Sequence, residues 1–140
     1  MQVDTLIKQF EGFIPHAYIC PAGIKTIGYG HVITLGEQPK LQNITRTQAD
    51  QLLDRDINRA ISAVARNITT SLTPNQFAAL ISLTFNIGPA ALQRSTLRQK
   101  INRNEHESVP TELMRWVWAG GRILPGLVTR RKAESLVYIS

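Results

Sequence analysis

Three side chains near the N-terminus of this 140-residue chain are of types that could share one reaction: Glu11, Cys20 and Thr26, spaced by nine and then six positions. A glutamate at a helix end beside an apolar body can be partly desolvated. Burial of that kind lifts a carboxyl pKa from about 4.3 toward the ~6–7 useful to a general acid, which could then protonate a leaving oxygen. Across a cleft, a second group must activate water or stabilise a developing oxocarbenium ion, and in glycoside hydrolysis that group is normally a carboxylate. Here the position would fall to Cys20. The spacing alone leaves plainer roles open: a solvated surface glutamate, a buried cysteine filling space, and a threonine present for its strand propensity. His31 reads more readily as a hydrogen-bonded structural residue than as a catalyst or metal ligand. Gly28-Tyr29-Gly30 lacks the third glycine and following helix of a phosphate loop.

The elements that must position these residues can be read from periodicity and caps. Val3, Leu6, Ile7 and Phe10 lie at helical spacing, which predicts a first helix ending near Glu11-Gly12. Pro15 forbids its continuation. Short extended pieces from His16 to Ile33, punctuated by Pro21, Gly23, Gly28 and Gly30, predict a small hairpin or three-stranded sheet. Residues 35–43 read as loop. Thr45 with Gln48 forms a capping-box pattern ahead of the stripe Leu53, Ile57, Ile61, Val64, Ile68, predicting a long helix over 46–67. Thr73-Pro74-Asn75-Gln76 repeats the start signal, and the stretch from Phe77 to Phe85 is apolar nearly all round, as suits a central helix stopping at Gly88-Pro89. Shorter helices are expected over 96–103, 112–118 and 127–137. The fold class is therefore α+β, a single domain over residues 1–140 with a small N-terminal sheet, a helical C-terminal body and a cleft where they meet.

Composition narrows the function classes. The chain carries 16 Lys+Arg and 10 Asp+Glu, with 43% hydrophobic residues and 19% charged, an ordinary globular mix. Cys20 is the only cysteine, which excludes an intrachain disulfide and a four-cysteine metal site. No apolar run is long enough to span a membrane, and no signal peptide is expected at the N-terminus. Residues 91–140 hold 9 basic and 4 acidic side chains, against 7 and 6 before them. That excess, including the run Arg130, Arg131, Lys132, predicts affinity for an anionic partner such as bacterial wall, lipid or nucleic acid. Nucleic acid fits least, because Tyr29, Phe85 and Trp116 fall in separate elements and form no stacking platform.

Glu11-Gly12, Ala17-Tyr18, Gly23 and Thr26-Ile27-Gly28-Tyr29-Gly30-His31 resemble the active-site region of the phage lysozyme (endolysin) family, glycoside hydrolase family 24. The resemblance continues through Gln76-Phe77-Ala78-Ala79-Leu80, Phe85-Asn86-Ile87-Gly88, Ser95-Thr96-Leu97, Trp116, Gly126-Leu127, Arg130-Arg131 and Glu134, and so spans essentially the whole chain. It implies a lysozyme-like fold and cleavage of the β-1,4 bond between N-acetylmuramic acid and N-acetylglucosamine in peptidoglycan. It also implies a catalytic triad of Glu11, Cys20 and Thr26, in a variant with cysteine at a position that is otherwise aspartate. Glu11 would be the general acid, and Thr26 would hold the attacking water or the neighbouring catalytic group. Tyr29, Val32, Phe85 and Ser95 match positions lining the family's saccharide cleft. Trp116, Arg130 and Arg131 are expected to hold the helical lobe together. The resemblance implies no cofactor or metal, a monomer whose partners are glycan strands, and release from the cytoplasm by a membrane-permeabilising holin. A toxin or secretion effector would look the same.

The cysteine has physical content. An unperturbed thiol with a pKa near 8.5 is only a few per cent thiolate at neutral pH. Cys20 therefore needs local donors or positive charge to lower its pKa, or else acts as a neutral positioner. As a thiolate it could activate water, the route that Thr26 favours, or attack the anomeric carbon itself. Two other readings stay open: a lytic transglycosylase, which closes a 1,6-anhydro ring, and a non-catalytic wall-binding module.

Overall fold

A computed structural model of the chain describes residues 3–37 and 41–140. Helix α1 spans Val3–Glu11, followed by an antiparallel sheet of β1 (Ile14–Ile19), β2 (Lys25–Gly28) and β3 (His31–Val32) in that spatial order. The helical body comprises α2 (Arg46–Asn67), α3 (Pro74–Ile87), α4 (Pro89–Arg94), α5 (Thr96–Asn102), a 3₁₀ turn (His106–Ser108), α6 (Val109–Leu113) and α7 (Pro125–Ile139). A hairpin of β4 (Trp118–Ala119) and β5 (Arg122–Ile123) projects between α6 and α7. Of the loop expected over 35–43, residues 38–40 lie outside the described residues. Among the described residues no helix is long and apolar enough to cross a membrane.

The two long helices start where their caps dictate. Gln48 N–H donates to Thr45 Oγ1 at 3.1 Å while Thr45 N–H donates back to Gln48 Oε1 at 2.9 Å, and Thr73 with Gln76 repeats the arrangement. Each box satisfies two amides that the first turn leaves without helical partners. On α2, Leu53, Ile57 and Val64 of the expected stripe are buried and Ile61 partly so, and Ile68, the C-cap, is buried too. Every residue of α3 from Ala78 to Thr84 is buried, so this helix is the axis of the body, packed on one side by α2 and on another by α7.

The central helix ends at Gly88-Pro89 as expected: Gly88, at φ +92°, caps it, and Pro89 then opens α4, an element the sequence pattern does not suggest. Two local expectations are corrected. The helix expected over 112–118 forms earlier, at Val109–Leu113, because Pro110 suits a first turn. The residues beyond it form the β4–β5 hairpin, turned by Gly120 (φ +58°) and Gly121 (φ +78°), the left-handed pair that a two-residue hairpin loop demands. Finally, the basic run is not a surface feature. Arg130 and Arg131 are 3% and 0% exposed, and only Lys132 reaches solvent.

Candidate active site

Glu11 is the last residue of α1, and Gly12, at φ +63°, ends the helix behind it. Its side chain is 17% exposed, at the seam between sheet and body. The β2–β3 turn closes over it. Gly30 has φ +73°, and a β-carbon there would sit 2.8 Å from Glu11 Cδ, inside van der Waals contact. Only glycine therefore allows both the turn and the carboxyl beneath it. The other wall is not the apolar one expected. Arg130 Nη1 donates to Glu11 Oε1 at 2.5 Å, a bond between residues 119 apart in sequence.

The reason lies deeper in the body. Arg130 and Arg131 are both buried there, and Glu134 is the carboxylate between them. Ser82 Oγ donates to Glu134 Oε2 at 2.6 Å, Arg130 Nη2 donates to the Ser82 carbonyl at 3.1 Å, and Arg131 reaches the Asn86 side chain and the Trp116 carbonyl. Arg131 Nε and Glu134 Oε1 approach to 2.8 Å without hydrogen-bond alignment, so that contact is coulombic. Burial pulls the Arg131 guanidinium down to about 10 and pushes Glu134 up, the latter opposed by the two arginines. Two buried cations balance only when Glu11 is counted beside Glu134. The sequence signal for this network is Arg130-Arg131 with Glu134, which reads as structural pairing; the reach to Glu11 is not legible from it.

Cys20 comes directly after β1, at the mouth of its hairpin with β2. Its amide donates to the Ile24 carbonyl at 3.0 Å, and its own carbonyl accepts from Gly23 N–H at 2.8 Å. Burial by itself would raise the thiol. It is outweighed by backbone donors at Ile24 and Ala22 and by the Thr26 hydroxyl, so the pKa is lowered from its ordinary value. Thr26 is buried, and its hydroxyl donates to the Ile24 carbonyl at 2.8 Å. That single proton can serve the carbonyl or the sulfur, and rotation about the C–O bond exchanges them.

Tyr18 ties the two halves together. It pairs across the strands with Thr26, so their side chains share one face of the sheet. Burial raises the Tyr18 phenol, and the negative charges of Glu11 and Cys20 raise it further.

The remaining expected residues are more scattered. Tyr29 is buried, its ring 5.6 Å from that of Phe13 and covered by Lys8 Nζ at 5.0 Å. Val32, opposite Thr26 on β3, is 51% exposed, while Phe85 is partly buried against the core. Ser95 caps α5, accepting from Arg98 N–H at 3.0 Å, and lines an open cavity of about 400 Å³ with Ala91, Arg94, Thr96, Arg115 and Trp116. Neither Glu11, Cys20 nor Thr26 borders that cavity. His31 is held between Asp56 (Nδ1, 2.8 Å) and Glu37 (Nε2, 3.0 Å), which fastens β3 to α2. Among the described residues no group of three His, Cys, Asp or Glu side chains is placed to hold a metal ion.

Residues 8–134 match the family model described as phage lysozyme. An endolysin of Acyrthosiphon pisum secondary endosymbiont phage 1 is 40% identical over 97% of this chain and 94% of its own length. The endolysin of Bacillus phage B103 is 34% identical over 97% of this chain, which spans 52% of that relative. Among solved structures, the muramidase domain of SpmX from Asticaccaulis excentricus superposes with a TM-score of 0.85 at 32% identity, covering 99% of this chain and 95% of that one.

Proposed function

The chain belongs to the phage lysozyme family and is a glycoside hydrolase that cleaves bacterial peptidoglycan, and on that premise we propose how its own residues divide the reaction. Glu11 donates its proton to the glycosidic oxygen between N-acetylmuramic acid and N-acetylglucosamine as the bond to the anomeric carbon breaks. The Cys20 thiolate takes a proton from a water that attacks that carbon, and the product sugar keeps the hydroxyl. Proton transfer through solvent returns the thiol proton to the carboxylate, closing the cycle. Thr26 steadies the thiolate through its hydroxyl. Arg130 is a positioning residue that holds the Glu11 carboxylate in one rotamer. The observation that supports this most directly is geometric: the turn that ends β2 packs on the Glu11 carboxyl, while at the start of β2 the Thr26 hydroxyl and the Cys20 amide share the Ile24 carbonyl.

Water attack in one step inverts the anomeric centre, whereas attack by sulfur would leave a thioglycoside and retain it. Mass spectrometry of muropeptides released by the purified protein tests the scheme. Hydrated reducing ends are expected; products lighter by one water would make the protein a transglycosylase, and no release would leave a wall-binding module. The enzyme works as a monomer on glycan strands and reaches them after a holin permeabilises the membrane.

A further inference from the structure

We propose that the β4–β5 hairpin carries a sugar-binding subsite in which Trp118, with Ile123 beside it, stacks on a pyranose ring of the glycan strand beyond the bond that is cut. The inference rests on the muramidase reading and extends it to a part of the chain with no role in the chemistry. The hairpin tip abuts the loop that holds Cys20: a β-carbon at Gly120 would lie 3.5 Å from the carbonyl oxygen of Pro21, the residue after Cys20. Trp118 and Ile123 are register partners and share one face, and they are 60% and 51% exposed. On the other side of the same contact, Ile19 and Ile24 are 62% and 45% exposed.

Single exposed apolar residues are ordinary and need no explanation. Clustering is different. Of the nine large hydrophobic residues exposed among the described residues, these four lie within three positions of the Pro21–Gly120 contact. Exposed apolar side chains gathered about one contact suit a binding surface. The occupant is set by continuity with the Cys20 loop. A polymeric substrate cannot end at the bond being cut, so its next rings must lie on whatever surface adjoins the Cys20 loop, and here that surface is the hairpin. A hexosamine ring offers an apolar C–H face to the indole and a polar edge to water. The exposed cations Lys25 and Arg122, each in this neighbourhood, suit the carboxylates borne by muramic acid and its peptides.

The test compares Glu11→Gln protein with the Glu11→Gln, Trp118→Ala double variant, so that binding is measured without turnover. The ligands are soluble, uncross-linked glycan strands, freed of peptide by an amidase, and the disaccharide repeat unit. Trp118→Ala is expected to weaken strand binding by about three- to tenfold, with disaccharide binding unchanged and Trp118→Phe recovering most of the loss. Unchanged strand affinity, or an equal loss for the disaccharide, overturns the subsite. Muropeptide release by the unmodified protein reports separately on the muramidase reading, so the two failures cannot be confused. Thermal melts of each variant guard against misfolding.

Discussion

Two regions of this molecule hold charge in opposite ways. In the helical body, Arg130, Arg131 and Glu134 are sealed from water and make short contacts, the second cation being balanced by Glu11. At the β1–β2 mouth, Cys20 is half-buried and is held by backbone donors and one hydroxyl. A fully paired charge cannot change its protonation cheaply, whereas a lightly held one can. Structural charge is therefore locked in the body and reactive charge is left reachable in the sheet. Glu11 belongs to both, with one oxygen on Arg130 and its side chain at the seam.

The sharpest way to break that contrast is Glu11→Gln. The amide can still accept from Arg130 but no longer balances its charge, so some stability is lost, while lysis per folded molecule falls by about 10²–10⁴-fold with wall affinity retained. Equal lysis by the two proteins would return Glu11 to a purely structural role. Glu134→Ala should do the converse. It leaves Arg131 buried without a carboxylate and Arg130 with Glu11 alone, and is expected to cost about 3–5 kcal/mol in a denaturant titration, with little change in turnover per folded molecule at low temperature. Should its stability loss stay near that of a surface change, the buried network is not what holds α7 to α3.

The thiol gives a smaller and chemically specific effect. Cys20→Ala, or alkylation of the native protein, should lower lysis by about 10²-fold, and Cys20→Asp should keep activity and ignore the alkylating reagent. Because the Cys20 pKa is lowered, native activity should rise with pH through a titration below the ordinary thiol value, a limb absent from Cys20→Asp. An alkylated enzyme lysing walls at the untreated rate would rule out a catalytic thiol.

The smallest effect concerns the tie between the regions. Hydrogen bonding to Asp56 raises the His31 pKa against the opposing effect of burial. Its stabilisation is complete below the unfolded value of about 6.5 and is lost as pH rises through the raised native value. Glu37 is lowered despite its burial, by Thr34 and His31, so its share is present above about 4.3 and lost as pH falls through the lowered native value. Native melting temperature should therefore peak between those limits. His31→Asn should cost about 2 kcal/mol near pH 6 and flatten the alkaline side of the profile.

Much of this architecture is legible locally. Thr45/Gln48 and Thr73/Gln76 announce the two long helices to the residue, since a capping box is a contact three positions wide. The same logic places the end of α1 and the three strands near the glycines that turn them. It fails at Gly120-Gly121, a two-residue turn just beyond the helix expected over 112–118, whose last residue in fact opens β4. It also misses the helix that Pro89 opens directly after the expected stop, and the earlier start that Pro110 gives α6.

By itself the sequence determined the family, the candidate triad and its spacing, because those reside in residue types at short separations. Tertiary structure alone decided that Arg130 meets Glu11 from 119 residues away, that Arg131 is buried and not presented to an anionic partner, and that the hairpin tip lies against the Cys20 loop. Each of these depends on how α7 and β4–β5 return over the N-terminal lobe. The pairing of a buried charge is set by what the fold leaves beside it after water is removed, and no local pattern along the chain encodes that.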